Sequence, residues 1–182
     1  MMNCSNCGAP QVLAVDETHF VCEHCGSLYF PNENQDKVRV IGTTSEVDCP
    51  VCKVPLVLGW INNTRVLACK RCRGLLIRSA EFPKTIEILR ADVNQPPVTS
   101  APLDTDQLQR QLACPRCGVE MHTHPYAGPG NVVIDNCADC GVNWLDHNEI
   151  NRIVRSPDRR RKEERWADWD VPLEGDIPEI GS

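Results

Sequence analysis

The stretch "DNCADCGVNWLD", residues 135–146, sets two cysteines three apart, then a glycine, then the apolar pair Trp144 and Leu145, then an aspartate. The design recurs. "CGSLYF" (25–30) and "CRGLLI" (72–77) also place an apolar pair four and five positions after the last cysteine. All twelve cysteines of the 182-residue chain fall into C-x-x-C pairs: Cys4/Cys7, Cys22/Cys25, Cys49/Cys52, Cys69/Cys72, Cys114/Cys117 and Cys137/Cys140. These pairs form three sets of four, with 14, 16 and 19 residues between the paired motifs and gaps of 23 and 41 between sets. Spacing and aligned apolar positions together mark an internal repeat.

Tetrahedral thiolate coordination explains the pattern. Two cysteines at i and i+3 on a tight knuckle aim both sulfurs at one ion, and a hairpin brings a second knuckle back to complete the set. Glycine after the second cysteine allows the positive φ that such knuckles favour, and Gly8, Gly26, Gly118 and Gly141 fit. The middle unit carries Lys53 and Arg73 there, with Gly74 one place later. Keeping a left-handed backbone at those residues costs about 1 kcal/mol each. Units this short cannot bury a sufficient core, and domains below ~40 residues usually need a metal, disulfides or a partner. A structural zinc contributes an apparent ~10–16 kcal/mol of coupled binding and folding. Three zinc ions per chain therefore stand in for a core, with Trp144 and Leu145 covering the sheet beside the third.

Other metals and chemistries fit less well. Iron is the competing occupant, since tetra-thiolate geometry suits both metals. Catalytic zinc needs an open coordination position, and here four thiols fill each site. Thiol–disulfide exchange, the enzymatic alternative, uses one C-x-x-C in a βαβ context, whereas every pair here has a partner pair. With four thiols per site, His24, His122, His124 and His147 read as surface residues; His122 and His124 with Tyr126 could line a small partner contact.

Composition agrees with small units. Aromatic residues make up 5% of the chain and 14 prolines are spread along it, which argues against one large core. No run approaches the roughly 18 apolar residues of a membrane span. "MMNCSNCGAP" lacks the charged and apolar regions of an export signal, so the expected compartment is the reducing cytoplasm.

The hairpins are expected at "QVLAV" and "THFVC" in the first unit, at "LVLGWI" and "RVLAC" around Asn62–Asn63 in the second, and at "VVIDNC" after the "AGPGN" turn in the third. Asp146 and Glu149 resemble a capping box opening a helix at "HNEINRIVR". Ser156–Pro157 reads as N-cap and N1 of a further, charged helix. The predicted organisation is zinc ribbon 1 at 1–34, a linker at 35–48, ribbon 2 at 49–91, a Pro-rich linker at 92–113 with a short helix in its second half, ribbon 3 at 114–155, the charged helix at 156–169 and a disordered tail at 170–182.

"CPRCGVEMHTHPYAGPGNVVIDNCADCGVNWLDHNEI", residues 114–150, resembles the transcription factor IIB-type zinc finger family through its opening C-P-x-C-G, closing C-x-x-C-G and W-L-D-x-x-E tail. Residues 49–82 match more loosely: Leu76 replaces the tryptophan and Arg78 the aspartate, while Glu81 is kept. Residues 4–30 resemble a generic zinc ribbon. The resemblance implies structural zinc in rubredoxin-like ribbons, and by analogy a role near transcription. The expected fold class is small, β-rich and metal-stabilised: three tandem tetra-cysteine ribbons with short C-terminal helices and flexible linkers.

Charge separates the units. Residues 1–48 are net −5 and residues 49–92 net +5, within a chain of −6. Four thiolates on Zn²⁺ add −2 per site, so the loaded chain is about −12 and its middle ribbon about +3. Such a chain is not a general nucleic-acid coat protein, because phosphate contacts dominate that affinity. The middle ribbon alone offers a binding face: Lys53, Arg65, Lys70, Arg71 and Arg73 on or beside its knuckles, and Trp60 as a stacking surface. The same charges also offset the sulfur-borne ones, with Trp60 packing internally. In "DRRRKEERWADWD", Trp166 and Trp169 form one helical face for a partner or for the third ribbon. The expected function is a non-enzymatic adaptor touching nucleic acid or a transcription-type complex through the middle ribbon. The second expectation is a protein-binding scaffold that uses the tryptophans.

Overall fold

Hairpins grow from the knuckles in all three units. In the computed structural model, which describes residues 2–93, 98–99, 101–128 and 130–157, the first ribbon is an antiparallel sheet of β1 (Met2–Asn3), β2 (Pro10–Leu13), β3 (Phe20–Val21) and β4 (Leu28–Tyr29), in that order. There follow β5 (Arg39–Asp48), β6 (Pro55–Ile61), β7 (Thr64–Ala68), β8 (Leu75–Arg78) and helix α1 (Phe82–Ala91). The chain ends its described part with α2 (Thr105–Leu108), β9 (His122–Pro125), β10 (Val133–Cys137), β11 (Val142–Leu145) and α3 (Glu149–Arg155). The small β-rich class with three cysteine sets and short helices is as expected.

The second and third ribbons are not beads on a string. They share one seven-stranded sheet in the order β5-β6-β7-β8-β11-β10-β9. The seam is β8 against β11, antiparallel, with Leu76 opposite Trp144, Leu75 opposite Leu145 and Ile77 opposite Asn143. Leu76 and Trp144 each stand four residues after the last cysteine of their set. Equivalent positions therefore meet, as across the two-fold axis of an isologous dimer. Trp144 is fully buried. Its indole lies over Gly74, where a Cβ would come within 2.2 Å of Cζ2. Gly74 is thus the socket for the tryptophan of the other ribbon.

The period-2 alternation of strands sends successive side chains to opposite faces. One face carries Leu75, Ile77 and Leu145 into a core shared with Phe82, Ile86 and Leu89 of α1 and Ile150, Ile153 and Val154 of α3. The other carries Leu76, Val142 and Trp144 in among Cys49, Cys69, Cys114 and Cys137. A fully buried side chain of this size stabilises by about 1.5–3 kcal/mol, so the joint core adds substantially to the metal. The expectation that no common core exists fails for these two ribbons.

Helix α1 was not anticipated, though its signal is present: Pro83 in the first turn, and Phe82, Ile86 and Leu89 on one face. Arg90 in its last turn donates to the carbonyls of Ile153 (3.1 Å) and Ser156 (2.6 Å) at the end of α3, where a cation is favoured. The capping box at Asp146 is half made. Glu149 Oε2 accepts from the Asp146 amide (2.7 Å), but Asn148 is the N-cap, in a left-handed conformation without a side-chain bond. The Asp146 carboxylate instead accepts from Arg110 and from Trp144 Nε1. Burial pushes Glu149 up to about 8, so the shared core holds it as a neutral acid. Ser156 closes α3 as its C-cap. The charged helix expected at 156–169 otherwise lies outside the described residues, as do Trp166, Trp169 and the tail.

Among the described residues, the expected linkers carry regular elements. Residues 39–48 of the 35–48 segment form β5, the edge strand beside β6. Before it, Asn34 Oδ1 accepts from the amides of Asp36 (2.9 Å) and Val38 (3.0 Å). This aims buried Asp36 at His147 Nδ1 (3.0 Å) and the Asn148 amide (3.3 Å) of the third ribbon. In the 92–113 segment the short helix appears as α2, capped by Asp104. Beyond it Arg110 bridges Asp135 and Asp146, while Thr123 Oγ1 donates to Asp135 (2.5 Å).

The seam is testable at its socket. Gly74→Ala should cost about 1–3 kcal/mol through overpacking, read from the urea midpoint of the zinc-loaded protein. In a Trp144→Leu background the same change should cost much less. An equal cost in both backgrounds would show that the indole is not what Gly74 makes room for.

Candidate metal centres

Knuckle geometry follows from local backbone bonds. The amide after the second cysteine donates to the carbonyl of the first in five of the six knuckles: Gly8 to Cys4, Gly26 to Cys22, Lys53 to Cys49, Arg73 to Cys69 and Gly118 to Cys114, at 2.8–2.9 Å. In the sixth, Gly141 donates to Ala138 (3.2 Å). All six residues have positive φ, including Lys53 (55°) and Arg73 (62°). The strained conformation is therefore kept without glycine in the middle ribbon, where the same knuckle hydrogen bonds form.

Three tetra-cysteine clusters result: Cys4, Cys7, Cys22 and Cys25; Cys49, Cys52, Cys69 and Cys72; Cys114, Cys117, Cys137 and Cys140, with the sulfurs of each within 4.8 Å of one another. Four ligands at about 2.3 Å from a tetrahedral zinc stand about 3.8 Å apart. The sulfur pairs Cys4–Cys25, Cys49–Cys72 and Cys117–Cys137 are each at 3.7 Å and Cys7–Cys22 at 3.5 Å. A disulfide would hold them at about 2.05 Å, and all twelve cysteines are free. The clusters fit three structural zinc ions, with no histidine in any of them.

Thiol chemistry points the same way. In the first cluster the Ser27 hydroxyl and amide, with the Cys7 thiol, draw Cys25 down to about 5. Cys7, against the pull of the Ala9 amide, is pushed up to about 12 by Cys25 and Cys22. In the third, Cys117 pushes Cys140 up to about 12. Four thiols so close cannot all ionise alone; a dication releases the remaining protons. Backbone amides assist, Cys52 donating to the Cys49 sulfur at 3.2 Å and Arg116 to that of Cys114 at 3.5 Å.

The clusters differ in support. Cys7 and Cys25 are exposed, and the first ribbon buries little besides Cys4, Cys22 and Gln11. The second and third clusters are lined by the common core of Leu56, Leu76, Met121 and Trp144.

The other expected site residues divide. Lys53, Lys70, Arg71 and Arg73 are exposed on the knuckles of the second cluster. Trp60 and Arg65 point elsewhere: Trp60 Nε1 donates to the Glu17 carbonyl (2.8 Å), and Arg65 pairs with the Glu17 carboxylate (3.1 Å). Both contacts join the first ribbon to the second, and Trp60 stays half-buried. His24 is exposed and His122 stacks on His124, ring centroids 4.9 Å apart. Tyr126 packs edge-on against Phe82. Glu17, Asp36 and Arg110 escaped the sequence reading because their partners lie 43 or more, 111 and 25 or more residues away.

Comparison with known families agrees with the clusters. Residues 113–156 match the transcription factor IIB-type zinc ribbon, described as a transcription factor zinc-finger. Residues 4–30 match the NADH pyrophosphatase zinc ribbon domain. Neither match reaches the middle ribbon, and no curated protein and no solved structure matches the chain. No helix among the described residues is long and apolar enough to cross a membrane.

Under a metallochromic chelator, zinc should leave in two phases: one equivalent fast, from the exposed first cluster, and two together and slowly. Three phases of similar size, or release of all three at one rate, would contradict this difference in support.

Proposed function

We propose that the chain is a non-enzymatic adaptor in which three structural zinc ions hold a scaffold that presents a cationic face of the middle ribbon to nucleic acid. One observation carries the reading: Lys53, Lys70, Arg71 and Arg73 are exposed together on the two knuckles of the second cluster, with no ion pair among the described residues. They also stand over a zinc site of charge −2, which lowers but does not cancel the local positive potential.

The absence of catalysis rests on coordination. Each zinc has four thiol ligands and no open position for a substrate or water. A cleft of about 760 Å³ between the 33–38 loop and α3 is lined by Asn34, Asp36, Asn62, Asn148 and Arg155 among others, with no cysteine. With Trp60 bonded to Glu17, the cationic face is read without an aromatic ring among the described residues. The contact is then to phosphates, which position without reading sequence. The description of the family matched by residues 113–156 as a transcription factor zinc-finger supports a partner of this kind. In the scaffold alternative Trp60 is a half-buried residue that already touches Glu17, and Trp166 and Trp169 lie outside the described residues.

Binding of labelled duplex DNA and RNA across a salt series tests the reading. Contacts from four cations give a log–log salt slope of about −3 to −4. Reversing Lys70, Arg71 and Arg73 to glutamate should bring binding to background. No binding at low salt, or the same slope in the reversed variant, would overturn it.

A further inference from the structure

We propose that the first ribbon is a dimerisation module: its open strand β4 pairs antiparallel with β4 of a second copy of this chain, Tyr29 opposite Tyr29. The inference is independent of nucleic-acid binding and rests on the repeat. All three ribbons have the same internal register. Phe20 opposite Tyr29, Leu67 opposite Leu76 and Asp135 opposite Trp144 are equivalent pairs, each joining the residue two before a knuckle to the residue four after its last cysteine. In the second and third ribbons this last strand finds its equivalent across the seam, Leu76 opposite Trp144. Three ribbons form one such pair and leave one over. In the first ribbon β4 is the end of its sheet.

The unpaired edge has the hydrogen-bonding phase of the seam. Cys22 donates to the Ser27 carbonyl (2.8 Å). Because hydrogen-bonded and non-bonded pairs alternate in an antiparallel ladder, Tyr29 then bonds toward β3, and the amides and carbonyls of Leu28 and Phe30 turn outward. Across the seam, Ser79 donates to Gly141 (2.9 Å). The same alternation makes Leu75–Leu145 and Ile77–Asn143 the bonded pairs, which are the positions equivalent to Leu28 and Phe30. The outward groups of β4 are thus those that make the seam in the other two ribbons.

The side chains fit a like partner. Leu28 is 57%, Tyr29 37% and Phe30 50% exposed, three consecutive large apolar residues on an open edge. Natural proteins usually blunt such an edge with charge or cover it. Here "SLYFP", residues 27–31, is uncharged within a segment of net −5. Self-pairing centred on Tyr29 sets Ser27 against Pro31 and Leu28 against Phe30, so no like charges meet. An edge-to-edge contact falls short of the roughly 1,200–2,000 Å² of stable complexes, so this dimer should dissociate on dilution.

Sedimentation velocity of the full zinc-loaded chain over a wide concentration range tests the proposal. The mass should rise from 20.4 kDa toward twice that. Tyr29→Lys and Tyr29→Glu should each stay monomeric, because like charges then face each other at the two-fold axis, and an equimolar mixture of the two should dimerise again. A wild type that stays monomeric throughout would overturn the proposal. So would a dimer that survives both substitutions, or one that the mixture fails to restore. Zinc counts on each variant report whether the first ribbon is folded. Should a variant lose that zinc, amide exchange on the wild type decides: the Leu28 and Phe30 amides should gain protection with concentration, while Tyr29 is protected throughout. Unchanged exchange at Leu28 and Phe30 would sink the pairing.

Discussion

The antiparallel pairing of β8 with β11 is the constraint on which the larger half of this molecule depends. A zinc ribbon alone closes its knuckles around a metal and leaves a last strand with one unpaired edge and two partly covered faces. Joining two ribbons at that edge satisfies the backbone groups of both. It also gives α1 and α3 a continuous sheet to pack on, with Phe82, Ile86, Leu89, Ile150 and Ile153 buried together. The seam is asymmetric where it matters. Trp144 fills the space over Gly74, while Leu76 occupies the equivalent position opposite. The departure of the middle ribbon from the tryptophan pattern thus puts a leucine opposite the one tryptophan of the seam.

Metal and core then divide the work between them. The first ribbon relies on its zinc and on two contacts to Glu17, and its exposed apolar edge follows from having no ribbon beside it. The second and third clusters sit in the walls of a common core, and their outer knuckles remain free to carry charge. The positive φ of Lys53 and Arg73 belongs with this division. Positions that glycine would serve more cheaply hold cations instead, at a strain of about 1 kcal/mol each, on the surface proposed to meet phosphate. Backbone economy alone does not explain cations at those positions.

Local chemistry was legible in the sequence and long-range pairing was not. Twelve cysteines at i, i+3 spacing specify the clusters, because only a knuckle can bring such pairs to one point. Asn62–Asn63 marks the β6–β7 hairpin, and the second half of the 92–113 segment reads as briefly helical, where α2 forms. The seam has no comparable signal: strands 64 or more residues apart in sequence pair through side chains that look, one ribbon at a time, like an ordinary small core. Strand β5 reads as a linker because "TTSEVD" is polar, as suits an edge strand with one covered face. Helix α1 has a local signal in the sequence, since the 82, 86, 89 spacing is helical. Trp60 shows the limit for site residues. A tryptophan at a hairpin tip looks alike in sequence whether it faces a partner or its own chain, and its bond to the Glu17 carbonyl 43 residues away has no local signal.

The central claim is that the second and third ribbons fold as one unit. Its most direct test is the zinc content of the full chain carrying Cys69→Ser and Cys72→Ser, counted by native mass spectrometry. If the seam and shared core hold the third cluster together, disabling the second cluster should empty both, leaving one zinc in the first ribbon. A variant that keeps two zinc ions, with the third ribbon as resistant to chelation as before, would mean that the ribbons fold separately.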